Sequence, residues 1–190
     1  MYIKKINIGG LSDKEYSEIA EFFPDTAERI KNYRPDDKKR TLAGRFLLKK
    51  MIKELYDREE LILSINENGK PTLDFCFFNI AHSGDFAVCA VSDFPVGVDI
   101  EQIGRFKKRE KYLLFTPRES EYVNERDCDN RFYTLWTRKE AYIKAKGGIL
   151  ADAASAELVT PDFKLLSRYD GFCFTTEKSD SYILSAAEYK

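Results

Sequence analysis

The chain has no run of about 18 apolar residues, and its opening MYIKKINIGG has no apolar core of the kind that directs secretion. Neither a membrane span nor a leader is indicated, and a cytoplasmic protein without membrane contacts is expected. An excess of one charge is also missing, since 31 basic side chains stand against 32 acidic ones. No global field draws the chain to nucleic acid, so no nucleic-acid partner is expected. The four cysteines, Cys76, Cys89, Cys128 and Cys173, form no CxxC pair. This excludes the common zinc and dithiol motifs and leaves reduced structural thiols. Histidine and tryptophan occur once each, as His82 and Trp136, and no convincing Ser/His/Asp set is present. No low-complexity linker divides the chain, so any two halves pack tightly.

What is present suits a folded α+β protein. The 190 residues are 43% hydrophobic and 14% aromatic, enough for one domain or two small ones with a real core. Tyr2 to Ile8 reads as a strand, and Ser12 with Glu15 as a capping box opening a helix that Pro24 stops after Phe23. Ala43, Leu47, Met51 and Leu55 recur at i+4 on a helix reaching about Tyr56. Strands follow at Leu61 to Ile65, Phe77 to Ile80 and Phe86 to Val91, with a turn at 66–69. The order then repeats. Thr116, Pro117 and Glu119 open a helix to about Arg126, and Asp129 caps a longer one that stops at Gly147 and Gly148. Strands are predicted at Ala156 to Thr160, Phe163 to Arg168, Phe172 to Thr176 and Tyr182 to Ala186. Two similar α+β halves, 1–95 and 96–190, are expected, each with a long helix packed on an antiparallel sheet.

Three stretches carry chemistry. In Val96 to Glu101 (VGVDIE), a strand turns Val98 and Ile100 one way and Asp99 and Glu101 the other. Two carboxylates on one face repel unless a cation lies between them, and oxygen donors suit Mg²⁺. Charges on an edge strand in water are the alternative for the same six residues. In Phe132 to Gly147 (FYTLWTRKEAYIKAKG), Trp136, Glu140 and Lys144 fall on one helix face. That row is either a shaped pocket or a solvated face with an ordinary ion pair. In Asn79 to Gly84, His82 lies just past a strand end and is either structural or a phosphate contact. Lys70 in the Gly69-Lys70-Pro71 turn and Arg40 beside Thr41 at a helix start are groups that suit phosphate. A solvated charge run would read the same way.

GVDIE at 97–101, FTPRE at 115–119 and FYTLWTRKEAYIKAKG at 132–147 together resemble the surfactin-type 4′-phosphopantetheinyl transferases. GKP at 69–71 and FNIAHSG at 78–84 extend the resemblance over most of 38–150. The resemblance implies a fold that is a pseudodimer of two α+β halves. It also implies transfer of 4′-phosphopantetheine from coenzyme A to a serine of an apo acyl or peptidyl carrier protein, and the 190-residue layout of two halves favours a monomer. Asp99, Glu101 and Glu140 would hold Mg²⁺, or Mn²⁺ in its place. Glu140 and Lys144 would be catalytic, the first toward the serine proton and the second at the bridging phosphate. Lys139 would lie beside the phosphates, His82 would contact the nucleotide 3′-phosphate, and Arg40, Thr41 and Lys70 would help hold coenzyme A. Ala81 departs from the family, which commonly has a phosphate-contacting serine there. Arg29, Lys31 and Arg34 match the family's adenine-side basic residues only loosely.

Overall fold

The structure is a computed structural model and describes residues 1–66, 70–104, 114–148 and 150–190. The first half runs β1 (Tyr2–Asn7), α1 (Asp13–Phe22), α2 (Pro24–Arg29), α3 (Pro35–Tyr56), β2 (Ser64–Ile65), β3 (Pro71–Thr72), β4 (Phe77–Ser83) and β5 (Phe86–Ser92). The second runs β6 (Val96–Gln102), α4 (Pro117–Glu125), α5 (Cys128–Lys146), α6 (Leu150–Ser155), β7 (Arg168–Tyr169), β8 (Phe172–Lys178) and β9 (Tyr182–Tyr189). Antiparallel sheets of order β1-β5-β4 and β6-β9-β8-β7 form the two platforms. The fold is α+β.

Local signals in the sequence account for several boundaries. Both capping boxes form, with the Ser12 side chain accepting from the Glu15 amide and the Thr116 side chain from the Glu119 amide. Pro24 does end α1, but its fixed φ and missing N–H also suit a first helical position, so it opens the short α2 as well. Pro35 begins α3 in the same way. Asp127, not Asp129, precedes the first residue of α5.

Several strand expectations change. Only Ser64–Ile65 of the 61–65 segment pairs, with Pro71–Thr72. The 156–160 and 163–168 segments make a single bridge between Val159 and Leu165, because side-chain and backbone turns at Thr160 replace a ladder. β4 continues through Ser83, so His82 lies within a strand and not beyond its end. All four cysteines are free, with Cys76 and Cys89 buried and Cys128 exposed.

Packing explains the order of layers. Leu47, Leu48, Met51 and Ile52 of α3 lie against Phe78, Cys89 and Val91 of the first sheet. Phe132, Leu135 and Ile143 of α5 join Phe172, Phe174 and Ile183 of the second. Between the halves, Ala81, Val88 and Ala90 meet Val98, Ile100 and Leu184. Each large apolar side chain buried here contributes roughly 1.5–3 kcal/mol. β4 and β6 belong to different sheets yet run side by side, joined through side chains. Asn79 Oδ1 accepts from the Val98 amide at 2.9 Å, and Ser83 Oγ accepts from the Gln102 amide at 3.1 Å.

Gly97 sets how closely β6 approaches α5. A Cβ at this position would fall on the Ala141 carbonyl oxygen and the Ala145 amide nitrogen of the helix backbone. These atoms have no rotamer by which to yield. Gly97→Ala is therefore expected to destabilise the fold by about 2 kcal/mol or more, measured by urea denaturation, and wild-type stability in this variant would contradict the close approach.

Candidate active site

β6 presents its two faces as the alternation predicts. Val98 and Ile100 enter the core between the halves, while Asp99 and Glu101 turn toward α5. Both carboxylates are only 6% exposed, so the solvated edge-strand reading is excluded. The Trp136 indole N–H donates to Glu101 Oε1 at 2.9 Å, and Ser83 Oγ donates to Glu101 Oε2 at 2.7 Å. Lys144 Nζ lies 2.6 Å from Asp99 Oδ1 and 3.7 Å from Glu140 Oε2. The expected row of Trp136, Glu140 and Lys144 thus meets the strand carboxylates.

Electrostatics follow from burial. Removal from water raises the Asp99 pKa to about 7, against the pull of Lys144 and with help from Glu101 and Glu140. Burial opposes the charge on Lys144, but Asp99 and Glu140 outweigh it and hold the ammonium above its ordinary range. Asp99 Oδ2 is buried with no hydrogen-bond partner. Three carboxylates against one ammonium leave surplus negative charge, and the donors are hard oxygens, so the set fits a divalent cation such as Mg²⁺. The carboxylates are not already gathered: among the described residues no three ligating side chains converge on one point.

A cationic wall stands next to the carboxylates. Lys70 crosses from the first half to donate to the Lys144 carbonyl at 2.8 Å. Arg40 donates to the Gly84 carbonyl at 2.6 Å and pairs with Asp37 at 2.8 Å. His82 lies near both Arg40 and Lys144, and its pKa falls below the ordinary value through desolvation first and those cations second. Thr41, Lys70 and His82 line a cavity of about 270 Å³ together with Arg29 and Arg45. Thr41 Oγ1 donates to the Asp37 carbonyl at 2.8 Å. Sequence reading missed Arg45, although it lies four positions after Thr41 and so on the same face of α3. It also gave no role to Ser83, the residue that ties Glu101 to β4.

Lys139 requires a correction. Neighbours on a helix point about 100° apart, so Lys139 cannot share the face of Glu140. Its side chain is 1% exposed, lies 2.6 Å from Glu119, and donates to the carbonyls of Leu114, Ala153 and Ala156. This lysine fastens loops to α5 and does not stand beside a phosphate site.

Residues 11–93 match the family model described as 4′-phosphopantetheinyl transferase, N-terminal, and residues 95–187 match that of the 4′-phosphopantetheinyl transferase superfamily. The chain belongs to this superfamily. Its sequence is 33% identical over 147 residues to the 4′-phosphopantetheinyl transferase Sfp of Bacillus subtilis, covering 72% of the chain and 66% of the relative. It is 37% identical over 117 residues to the transferase gsp of Aneurinibacillus migulanus, covering 58% and 49%. Identity to psf-1 of Bacillus pumilus is 38% over 126 residues, covering 58% and 51%. The chain therefore spans between about half and two thirds of the length of these transferases. The similarity to Sfp agrees with the surfactin-type resemblance carried by the motifs.

The shifted Asp99 makes stability depend on pH. Its folded pKa, about 7, exceeds an unfolded value of about 3.9, so the folded state holds the extra proton between those limits. The associated stability is full below pH about 4 and is lost as pH rises through about 7. Asp99→Asn should flatten the fall in stability from pH 5 to 8, measured by urea denaturation in chelator. Identical slopes for wild type and variant would count against the shift.

Proposed function

We propose that the protein transfers 4′-phosphopantetheine from coenzyme A to a serine of an apo acyl or peptidyl carrier protein. The observation that carries this reading is the reach of Lys144 to both Asp99 and Glu140, next to the cavity lined by Thr41, Lys70 and His82. Superfamily membership gives the reaction class. The division at about 95 and 96 corresponds to two halves of a pseudodimer, and since one chain supplies both the carboxylates and the cationic wall, the working form is a monomer.

In this reading the first half holds the nucleotide. His82 faces the 3′-phosphate, with Arg40, Thr41 and Lys70 around the cofactor. Asp99, Glu101 and Glu140 hold Mg²⁺, which neutralises pyrophosphate charge when bound. The carrier serine oxygen forms a bond to the phosphorus of the phosphopantetheine side, and the bond from that phosphorus to the bridging oxygen breaks. Glu140 takes the serine proton, directly or through water, and Lys144 stabilises the departing oxygen of adenosine 3′,5′-bisphosphate. The nucleophile comes from the partner, which accounts for the absence of a Ser/His/Asp set.

Mass spectrometry of apo carriers incubated with the protein, coenzyme A and Mg²⁺ should show one added phosphopantetheine, and chelator should abolish it. Full labelling after exhaustive metal removal would sink the carboxylate assignment; a folded protein that labels no carrier in a broad panel would sink the transferase reading. Lys144→Ala should lower turnover by roughly 10² or more while changing coenzyme A affinity less. Undiminished turnover would return Lys144 to a structural partner of Asp99.

A further inference from the structure

Arg45 is a charged side chain with no answering charge. It is 6% exposed, and its Nη1 is buried without a hydrogen-bond partner. Arginine stays protonated in proteins, so burial here strands a cation at a cost of several kcal/mol. The charged neighbour it senses most is Arg29, a second cation, which with burial holds Arg45 below its ordinary pKa. Both line the 270 Å³ cavity with Thr41, Lys70 and His82, and no carboxylate lines that cavity among the described residues. On the far side, Arg29 and Arg45 also border a groove with Glu59 and Glu60, but Glu59 is paired with Lys53 at 2.6 Å. Two guanidinium groups facing one cavity repel each other unless an anion lies between them, and their planar forks suit phosphate oxygens.

We propose that Arg45, with Arg29, binds a dianionic phosphate monoester, and that this group is the 3′-phosphate at the nucleotide end of coenzyme A. The source of the phosphate rests on the proposed function; the anion site itself rests on the two arginines. Arg45 enters the cavity from α3 while His82 enters from β4, so the two approach the same ligand from different elements.

The test is calorimetric titration of the full chain with adenosine 3′,5′-bisphosphate, adenosine 5′-monophosphate and inorganic phosphate, in parallel with the carrier-labelling assay. Wild type should prefer the bisphosphate to the monophosphate by about tenfold or more, as charge-assisted hydrogen bonds to the added group require. Arg45→Met should reduce that preference at least about fivefold without lowering the unliganded melting temperature, since it removes an unpaired buried charge. Arg29→Ala is a surface change that secures the test if Arg45→Met fails to fold, and it should reduce the preference at least about threefold. A preference retained in folded Arg45→Met, or in Arg29→Ala where the other variant does not fold, overturns the site. A wild type that shows no preference overturns it as well. Inorganic phosphate bound as tightly as the bisphosphate, with both lost in Arg45→Met, overturns the nucleotide assignment. The two readings fail separately: an intact, arginine-dependent preference with no carrier labelled defeats the transferase alone, and labelling with an unmoved preference defeats the arginine site alone.

Discussion

β6 must bury two carboxylates in the middle of the protein, and much of the remaining arrangement follows from that demand. A buried charge costs several kcal/mol unless it is paired or hydrogen-bonded, and a strand in a sheet cannot turn both faces to water when both are covered. Asp99 and Glu101 therefore need partners from every element that packs on them. Lys144 and Trp136 arrive from α5, and Ser83 arrives from β4 in the other half. Gly97, without a side chain, lets the α5 backbone come near enough for a lysine and an indole to reach the strand.

A second buried pair shows what a purely structural solution looks like. Lys139 donates to three carbonyls and lies against Glu119. Glu119 in turn accepts from the Leu158 and Thr116 amides. Every strong group in that cluster is answered from within the chain, so it ties α4, α5 and the loop after α6 together and has no capacity left for a ligand. The groups around the cavity differ in kind. Asp99 Oδ2 and Arg45 Nη1 are buried and unanswered, and their signs are opposite, one suited to a cation and the other to an anion. Among the described charged side chains, buried atoms without a partner occur only at Asp99 and Arg45, whereas Lys139 of α5 and Glu119 of α4 are answered in full.

The parts of this arrangement that sequence made legible are those with short-range causes. The capping boxes at Ser12 and Thr116, the alternation in β6 and the i+4 row on α5 depend on residues a few positions apart, and each appears as read. The errors have long-range causes. Lys139 looked equivalent to its neighbours until Glu119 and the loop carbonyls, remote in sequence, were placed around it. The segments 156–160 and 163–168 have strand-like composition and lie beside each other, but they join by the single bridge of Val159 to Leu165, and only Arg168 enters the sheet, opposite Cys173. Arg45 was passed over because a single arginine in a helix rich in basic residues reads as solvated, and only packing shows that it is buried. Pro24 was half legible, its stop signal clear and its role as the next helix's first residue overlooked.

The seam between the halves explains how two distinct sheets are held in one arrangement. A continuous backbone ladder would lock β4 to β6 along its whole length and leave no polar side chains between them. Instead Asn79 and Ser83 receive the amides of Val98 and Gln102, and Lys70 reaches the Lys144 carbonyl. Each tether begins within a few residues of a candidate site group: His82 lies beside Ser83, Asp99 beside Val98, and Lys70 and Lys144 are themselves tethered. The contacts that position the halves are thus the ones that register the cationic cavity against the carboxylates. A shift at the seam would part the cationic cavity from the carboxylates before it disturbed either core, since Phe78 and Val91 on one side and Phe132 and Ile183 on the other belong to separate apolar clusters.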